Sequence, residues 1–68
     1  MKGGIVLRIE EGKYKGKKAI AYHKKQEDQI VEKKKIVVDI YGDEDYGNKV
    51  AEGVMIDMWK CKQIGFVD

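Results

Sequence analysis

Four lysines fall within the six residues from Lys13 to Lys18, interrupted only by Tyr14 and Gly16, and Gly12 precedes them. A flexible basic turn of this composition can meet several phosphates at once. Neutralising them releases the counterions condensed on a nucleic acid, which supplies affinity without sequence choice. Tyr14 adds a ring that could stack on an unpaired base. Lys24 and Lys25 follow a few residues later and would extend the same charge. The expected nucleic-acid contacts are therefore Lys13, Tyr14, Lys15, Lys17, Lys18, Lys24 and Lys25. The competing reading is a solvated turn whose lysines keep a sheet edge from aggregating.

Other chemistry-bearing residues lead nowhere comparable. The acidic run GDEDYGNK, residues 42–49, suggests a calcium loop, but counting Asp43 as position 1 puts Gly47 at 5, Asn48 at 6 and Val54 at 12. An EF-hand needs a ligand, a glycine and a glutamate there. His23 is the only histidine and lacks partners at metal-ligand spacing. Cys61 stands between Lys60 and Lys62, which would lower its thiol pKa if both charges were near, but no partner motif accompanies it. The sequence has no recognisable acid–base pair, activated nucleophile or phosphate-cradling loop opening a helix, so no enzyme, metal, cofactor or small-molecule substrate is expected.

Sixty-eight residues bound the rest: one domain, a small core and little room for a deep cleft with its supporting shell. A single cysteine cannot form an intrachain disulfide, and a reducing, cytoplasmic setting is the simpler expectation. No apolar run approaches the roughly 20 residues that cross a bilayer, and the N-terminal stretch does not read as a signal peptide. Net charge is +2, but residues 1–35 hold eleven Lys/Arg against five Asp/Glu, whereas residues 36–68 hold three against seven. A dipolar surface follows unless strands from the two halves interleave.

Strand signals dominate the elements that must position these residues. Ile5, Leu7 and Ile9 alternate on one face of a first strand, and residues 12–16 form a turn. In a second strand, residues 18–23, Ile20 and Tyr22 share one face and Ala19, Ala21 and His23 the other. Residues 24–35 read as a short helix or irregular turn, the favoured reading, or as a polar hairpin with Ile30-Val31 in strand. Residues 36–41 are the clearest strand, being mostly β-branched and ended by Gly42. Residues 42–53 read as a long polar loop, 54–59 as a strand, 60–63 as a connector with room for one tight helical turn, and 64–67 as a last strand. The expected fold is mainly β, a small five-stranded antiparallel barrel with one short helix around residues 24–34.

Directing Ile5, Leu7, Ile9, Ile36, Val38, Ile40, Val54, Ile56 and Met58 inward leaves an opposite face of Val6, Arg8, Val37, Asp39, Tyr41, Met55, Asp57 and Trp59. Arg8 could pair with Asp39 or Asp57 across strands. Val37, Tyr41, Met55 and Trp59 make the face apolar enough to suggest a protein interface or a homodimer. The competing reading is that the segment 24–35 or the long loop covers it as a second small core.

The turn Gly12-x-Tyr14-Lys15-Gly16-Lys17-x-Ala19 resembles the KOW motif of ribosomal proteins and NusG-type transcription elongation factors. The resemblance spans residues 5–21. It departs from the motif at Ala19, where glycine is usual, and near Ala21, where a β-branched residue is expected. It implies an SH3-like barrel and association with RNA rather than DNA. The expected function is thus a non-enzymatic binding module for nucleic acid; the alternative is a protein-interaction domain or homodimer working through Val37, Tyr41, Met55 and Trp59.

Overall fold

Period-two alternation of branched side chains builds the sheet. The computed structural model describes residues 3–28, 31, 34–42 and 48–67. Its elements are β1 (Gly4–Ile9), β2 (Lys18–Tyr22), α1 (His23–Asp28), β3 (Lys35–Tyr41), β4 (Lys49–Asp57), a 3-10 turn (Met58–Lys60) and β5 (Cys61–Val67). All neighbouring strands are antiparallel, in the order β4-β3-β2-β1-β5. Among the described residues the protein is mainly β with one short helix, as expected.

The main core lies on one side of this sheet. Leu7 and Ile9, Ala19 and Ala21, Val38 and Ile40, and Ile56 are buried there, with Ile5, Tyr14, Ile36, Val54 and Cys61 packed around them. A single sheet can bury one face of five strands without a second layer only by curling around that face. Gly4 permits the tightest approach: a Cβ there would sit 2.6 Å from the Ala21 carbonyl oxygen.

The opposite face holds a second, smaller core of Val6, Ile20 and Tyr41, with Tyr22 and Val67 beside it. Helix α1 turns back toward β2 and β3. The Gln26 side chain reaches Val37 and accepts from its N–H at 3.0 Å. Val37 and Asp39 are fully buried.

Several boundaries differ from expectation. β4 begins at Lys49, inside the segment expected to be a loop, because register shifts after Val38 and Ile40 let a charged, glycine-containing stretch keep pairing with β3. Trp59 belongs to the 3-10 turn rather than a strand. Met58, expected inside, is half-exposed because the chain leaves β4 at Asp57. β5 starts at Cys61 rather than Ile64. α1 covers the start of the expected helical segment and takes in His23, expected at the end of the second strand. Val31 is in no strand, and Ile30 and the acidic residues 43–47 are outside the described residues. Among the described residues no helix is long and apolar enough to cross a membrane.

Candidate nucleic-acid interface

The basic turn closes the β1–β2 hairpin. Ile9 N–H donates to the Lys17 carbonyl at 2.9 Å and Gly16 N–H donates to the Ile9 carbonyl at 2.8 Å. Within the loop, Lys15 N–H bonds the Gly12 carbonyl at 3.2 Å and Lys17 N–H bonds that of Tyr14 at 3.0 Å. These two tight turns need left-handed backbone at Gly12 (φ +96°) and Gly16 (φ +88°), which glycine supplies without steric cost. Lys13 and Lys15 are exposed, while Lys17 and Lys18 are half-buried. Tyr14 is half-buried against the main core, and the Lys13 ammonium lies 5.6 Å from its ring centre. The ring anchors the turn and is not a free stacking platform.

The strand pairing extends this charge across the sheet. Arg8 is paired with Lys18 on one side and with Lys62 on the other; Lys18 is in turn opposite Tyr41, and Tyr41 opposite Lys49. One rung of the sheet therefore reads Lys62, Arg8, Lys18, Tyr41, Lys49, with neighbouring strands about 4.8 Å apart. Like charges directly opposite each other are destabilising. Among the described residues no carboxylate lies within ion-pairing distance of Arg8 or Lys62, both exposed. The hairpin turn follows directly from the Arg8–Lys18 pair, so turn and rung are continuous.

Lys24 and Lys25 lie beyond the other end of β2, five residues or about 17 Å of strand from the turn. Lys25 is also occupied. Its ammonium is 3.3 Å from Asp39 Oδ1 and 2.9 Å from Glu52 Oε2, and Lys49 lies 3.4 Å from Asp39 Oδ2. Asp39 is 2% exposed and also accepts from Gly53 N–H at 3.0 Å. Burial would raise the Asp39 pKa, but the Gly53 bond and the two lysines outweigh it and the carboxyl sits below its ordinary value. Hydrogen bonding to Glu52, and then to Asp39, holds the Lys25 pKa above its ordinary value. The two aspartates expected as Arg8 partners take lysines instead, Asp57 pairing with Lys35 at 3.1 Å and Lys60 at 3.8 Å.

The apolar face divides. Val37 is 1% exposed, bonded by Gln26 of α1, and Tyr41 is 7% exposed, packed with Val6 and Ile20, whereas Met55 is partly exposed and Trp59 is 65% exposed with Lys60 5.5 Å from its ring centre. Two exposed residues on β5 do not stand out in the sequence, Ile64 and Phe66, the latter 77% exposed. Ile64 sits at a register shift: Gly65 faces Val6 and Gln63 faces Leu7. A glycine inside an otherwise apolar terminal strand is the available signal. His23 starts α1, and burial first, then the nearby Glu10, push the Cys61 thiol pKa up, opposite to the lysine effect expected. Among the described residues no cluster of three His, Cys, Asp or Glu could hold a metal ion.

Comparison with protein-family models, curated proteins and solved structures returns no match to this chain.

Proposed function

We propose that this chain is a non-enzymatic, cytoplasmic binding module, an SH3-like barrel, that associates with nucleic acid, RNA in preference to DNA, by contacting phosphates. Lys13, Lys15, Lys17 and Lys18 make the contacts, and Arg8 and Lys62 continue them across the sheet. The observation that carries this reading is the juxtaposition of Lys62, Arg8 and Lys18 on three adjacent strands, directly beside the basic turn. Arg8 and Lys62 stand directly opposite each other, and a polyanion laid across them offsets their mutual repulsion. The strand order with a 3-10 turn before the last strand, and the likeness of the turn to the KOW motif, support the barrel and the preference for RNA.

The test is fluorescence anisotropy of a labelled mixed-sequence RNA and a DNA duplex, titrated with protein at several salt concentrations. Affinity falls steeply with salt, and replacing Lys13, Lys15 and Lys17 by Gln flattens the logarithmic slope by about one unit for each phosphate no longer neutralised. Binding that ignores salt, or no binding at low salt, overturns the reading.

A second reading has its own observation. Trp59 and Met58 are 65% and 51% exposed on the 3-10 turn that follows β4, the strand that carries the partly exposed Met55. Aromatic and Met side chains are enriched in protein interfaces, and this patch would serve a protein partner or a second copy.

A further inference from the structure

β5 stands apart from the other strands in how it meets the core. Cys61, Gln63 and Phe66 face Ile9, Leu7 and Ile5 across the ladder, so all three lie on the main-core side of the sheet. On β1, β2 and β3 the residues of that side are buried or half-buried. Gln63 and Phe66 are exposed, Phe66 by 77%. Beside them lies a cavity of about 160 Å³ between β1, β3, the 3-10 turn and β5, lined by Ile5, Leu7, Ile36, Met58, Cys61 and Gln63. None of these six is charged, in a chain with 38% charged residues. A cavity of this order with aliphatic walls stays dry and takes up a benzene-sized ring. Phe66 is the one phenylalanine of the chain. It stands opposite Ile5 at the cavity's border and, being so exposed, does not fill it.

We propose that the occupant of this cavity is the Phe66 ring of a second copy of this chain, so that two copies form a two-fold dimer through the core side of β5. Ring and hole lie side by side on one face. Phe66 is opposite Ile5, and the cavity extends to Leu7, two residues or about 7 Å further along β1. A half-turn about an axis midway between them exchanges ring and hole, so each copy fills the other. Met58, 51% exposed on the cavity wall, adds apolar area on each side. Charge does not oppose the approach, because Lys62, Arg8 and Lys18 lie on the other side of the sheet. For the same reason the dimer is independent of the phosphate-binding reading and leaves the basic rung open. Area sets the strength. Each aromatic ring buries about 150–250 Å². Two rings and two Met58 side chains fall short of the roughly 1,600 Å² of a standard interface, so the dimer dissociates at about 10–100 µM.

Sedimentation equilibrium of the full chain without nucleic acid, from about 1 µM to about 1 mM, tests this. The wild type passes from monomer to dimer and goes no further, because a two-fold joint closes. Phe66→Ala removes the ring. Gln63→Glu puts a carboxylate at the rim where the partner's ring enters. Both positions are exposed, so the fold does not depend on either, and thermal unfolding checks this. Each variant weakens association about tenfold or more, since one substitution acts twice in a two-fold joint. Lys62→Gln, on the opposite side, leaves it unchanged. Cys61 gives a second readout. Its thiol lines the cavity, so its reaction with excess maleimide slows as wild-type concentration rises and does not slow in Phe66→Ala.

A wild type that stays monomeric to about 1 mM, or a dimer that Phe66→Ala leaves intact, overturns the proposal. A dimer lost only in Trp59→Ala assigns the joint to the 3-10 turn and also overturns it. Association that grows without limit points to open edge-to-edge pairing of β5 and overturns it as well.

Discussion

Gln26 serves Val37 as a missing strand. Its Nε2 donates to the Val37 carbonyl at 2.6 Å and its Oε1 accepts from the Val37 N–H at 3.0 Å, while Nε2 also reaches the Tyr22 carbonyl at 3.2 Å. The β2–β3 ladder runs only through Lys18–Tyr41, Ala19–Ile40 and Ile20–Asp39, because the chain turns into α1 at His23. One side-chain amide, with a donor and an acceptor like a peptide, replaces the next rung. Gln26→Ala leaves both Val37 groups unpaired and costs about 1–3 kcal/mol. Alanine is the better helix former, so the loss cannot come from α1 itself. Denaturant unfolding checks the magnitude, and faster hydrogen exchange at the Val37 amide checks the cause. Unchanged stability and exchange would show that water replaces the amide at no cost.

Asp39 makes stability depend on acid. Its native carboxyl lies below the ordinary 3.8, since the Gly53 N–H and two lysines outweigh burial. A depressed pKa contributes stability that is complete above the unfolded value and is lost as pH falls through the native one. Unfolding free energy therefore declines below about pH 4 as this carboxyl takes up its proton. Asp39→Asn costs about 1.5–3 kcal/mol at neutral pH and flattens the acid limb. A variant that keeps the wild-type acid limb would assign that limb to other carboxylates.

Tyr41 acts at the opposite end of the scale. Burial first, then its side-chain bond with Tyr22 and the nearby carboxylates, push the hydroxyl from 10.0 up to about 12. A raised pKa gives stability that is complete below the unfolded value and is lost as pH rises toward the native one, so this contribution fades between those two values. Phenolate absorbance should show one of the four tyrosines titrating last, and Tyr41→Phe should remove that step. Retention of the late step in Tyr41→Phe would transfer it to another ring.

The sheet itself was legible because burial on one face imposes a period of two, which Ile5, Leu7 and Ile9 and then Val38 and Ile40 display without interruption. The turn was legible because its lysines and glycines are neighbours in the chain. The rung was not: Lys62 and Lys18 flank Arg8 from opposite ends of the sequence, and only the register reveals them as neighbours. The start of β4 was hidden because Lys49, Glu52 and Gly53 read as loop, although Lys49 and Glu52 are held there by Asp39 and Lys25. Val37 and Tyr41 looked like interface residues because nothing in the local sequence shows that Gln26 of α1 reaches Val37 or that Val6 and Ile20 pack on Tyr41. Phe66 was hidden because the register shift at Ile64 breaks the alternation that would have assigned it a face.

Two glycines on the same pair of strands should respond in opposite ways. A Cβ at Gly4 would lie 2.6 Å from the Ala21 carbonyl oxygen and 3.1 Å from the Tyr22 Cα, both backbone atoms of β2 that cannot move aside. Gly4→Ala should cost about 1–3 kcal/mol by forcing β1 and β2 apart. Gly65→Ala, on the other neighbour of β1, meets only Val6 at van der Waals distance and should be neutral or slightly stabilising through lower unfolded-state entropy. Thermal unfolding of the two variants side by side tests this; equal effects would mean that β1 shifts to absorb the methyl group.

The basic rung separates function from stability most directly. If Lys62 and Arg8 are held opposite each other for a ligand, relieving their repulsion should improve the free protein and weaken the complex. Arg8→Gln and Lys62→Gln should each raise unfolding free energy by about 0.2–1 kcal/mol, with the gain shrinking as salt screens the repulsion. The same substitutions should lower affinity for RNA at low salt and reduce the salt slope by about one unit each. Opposite signs in the two assays are the signature of a site maintained against stability. A loss of stability in both variants with an unchanged salt slope would instead make these side chains part of the sheet's own packing, and the phosphate contacts would retreat to the turn.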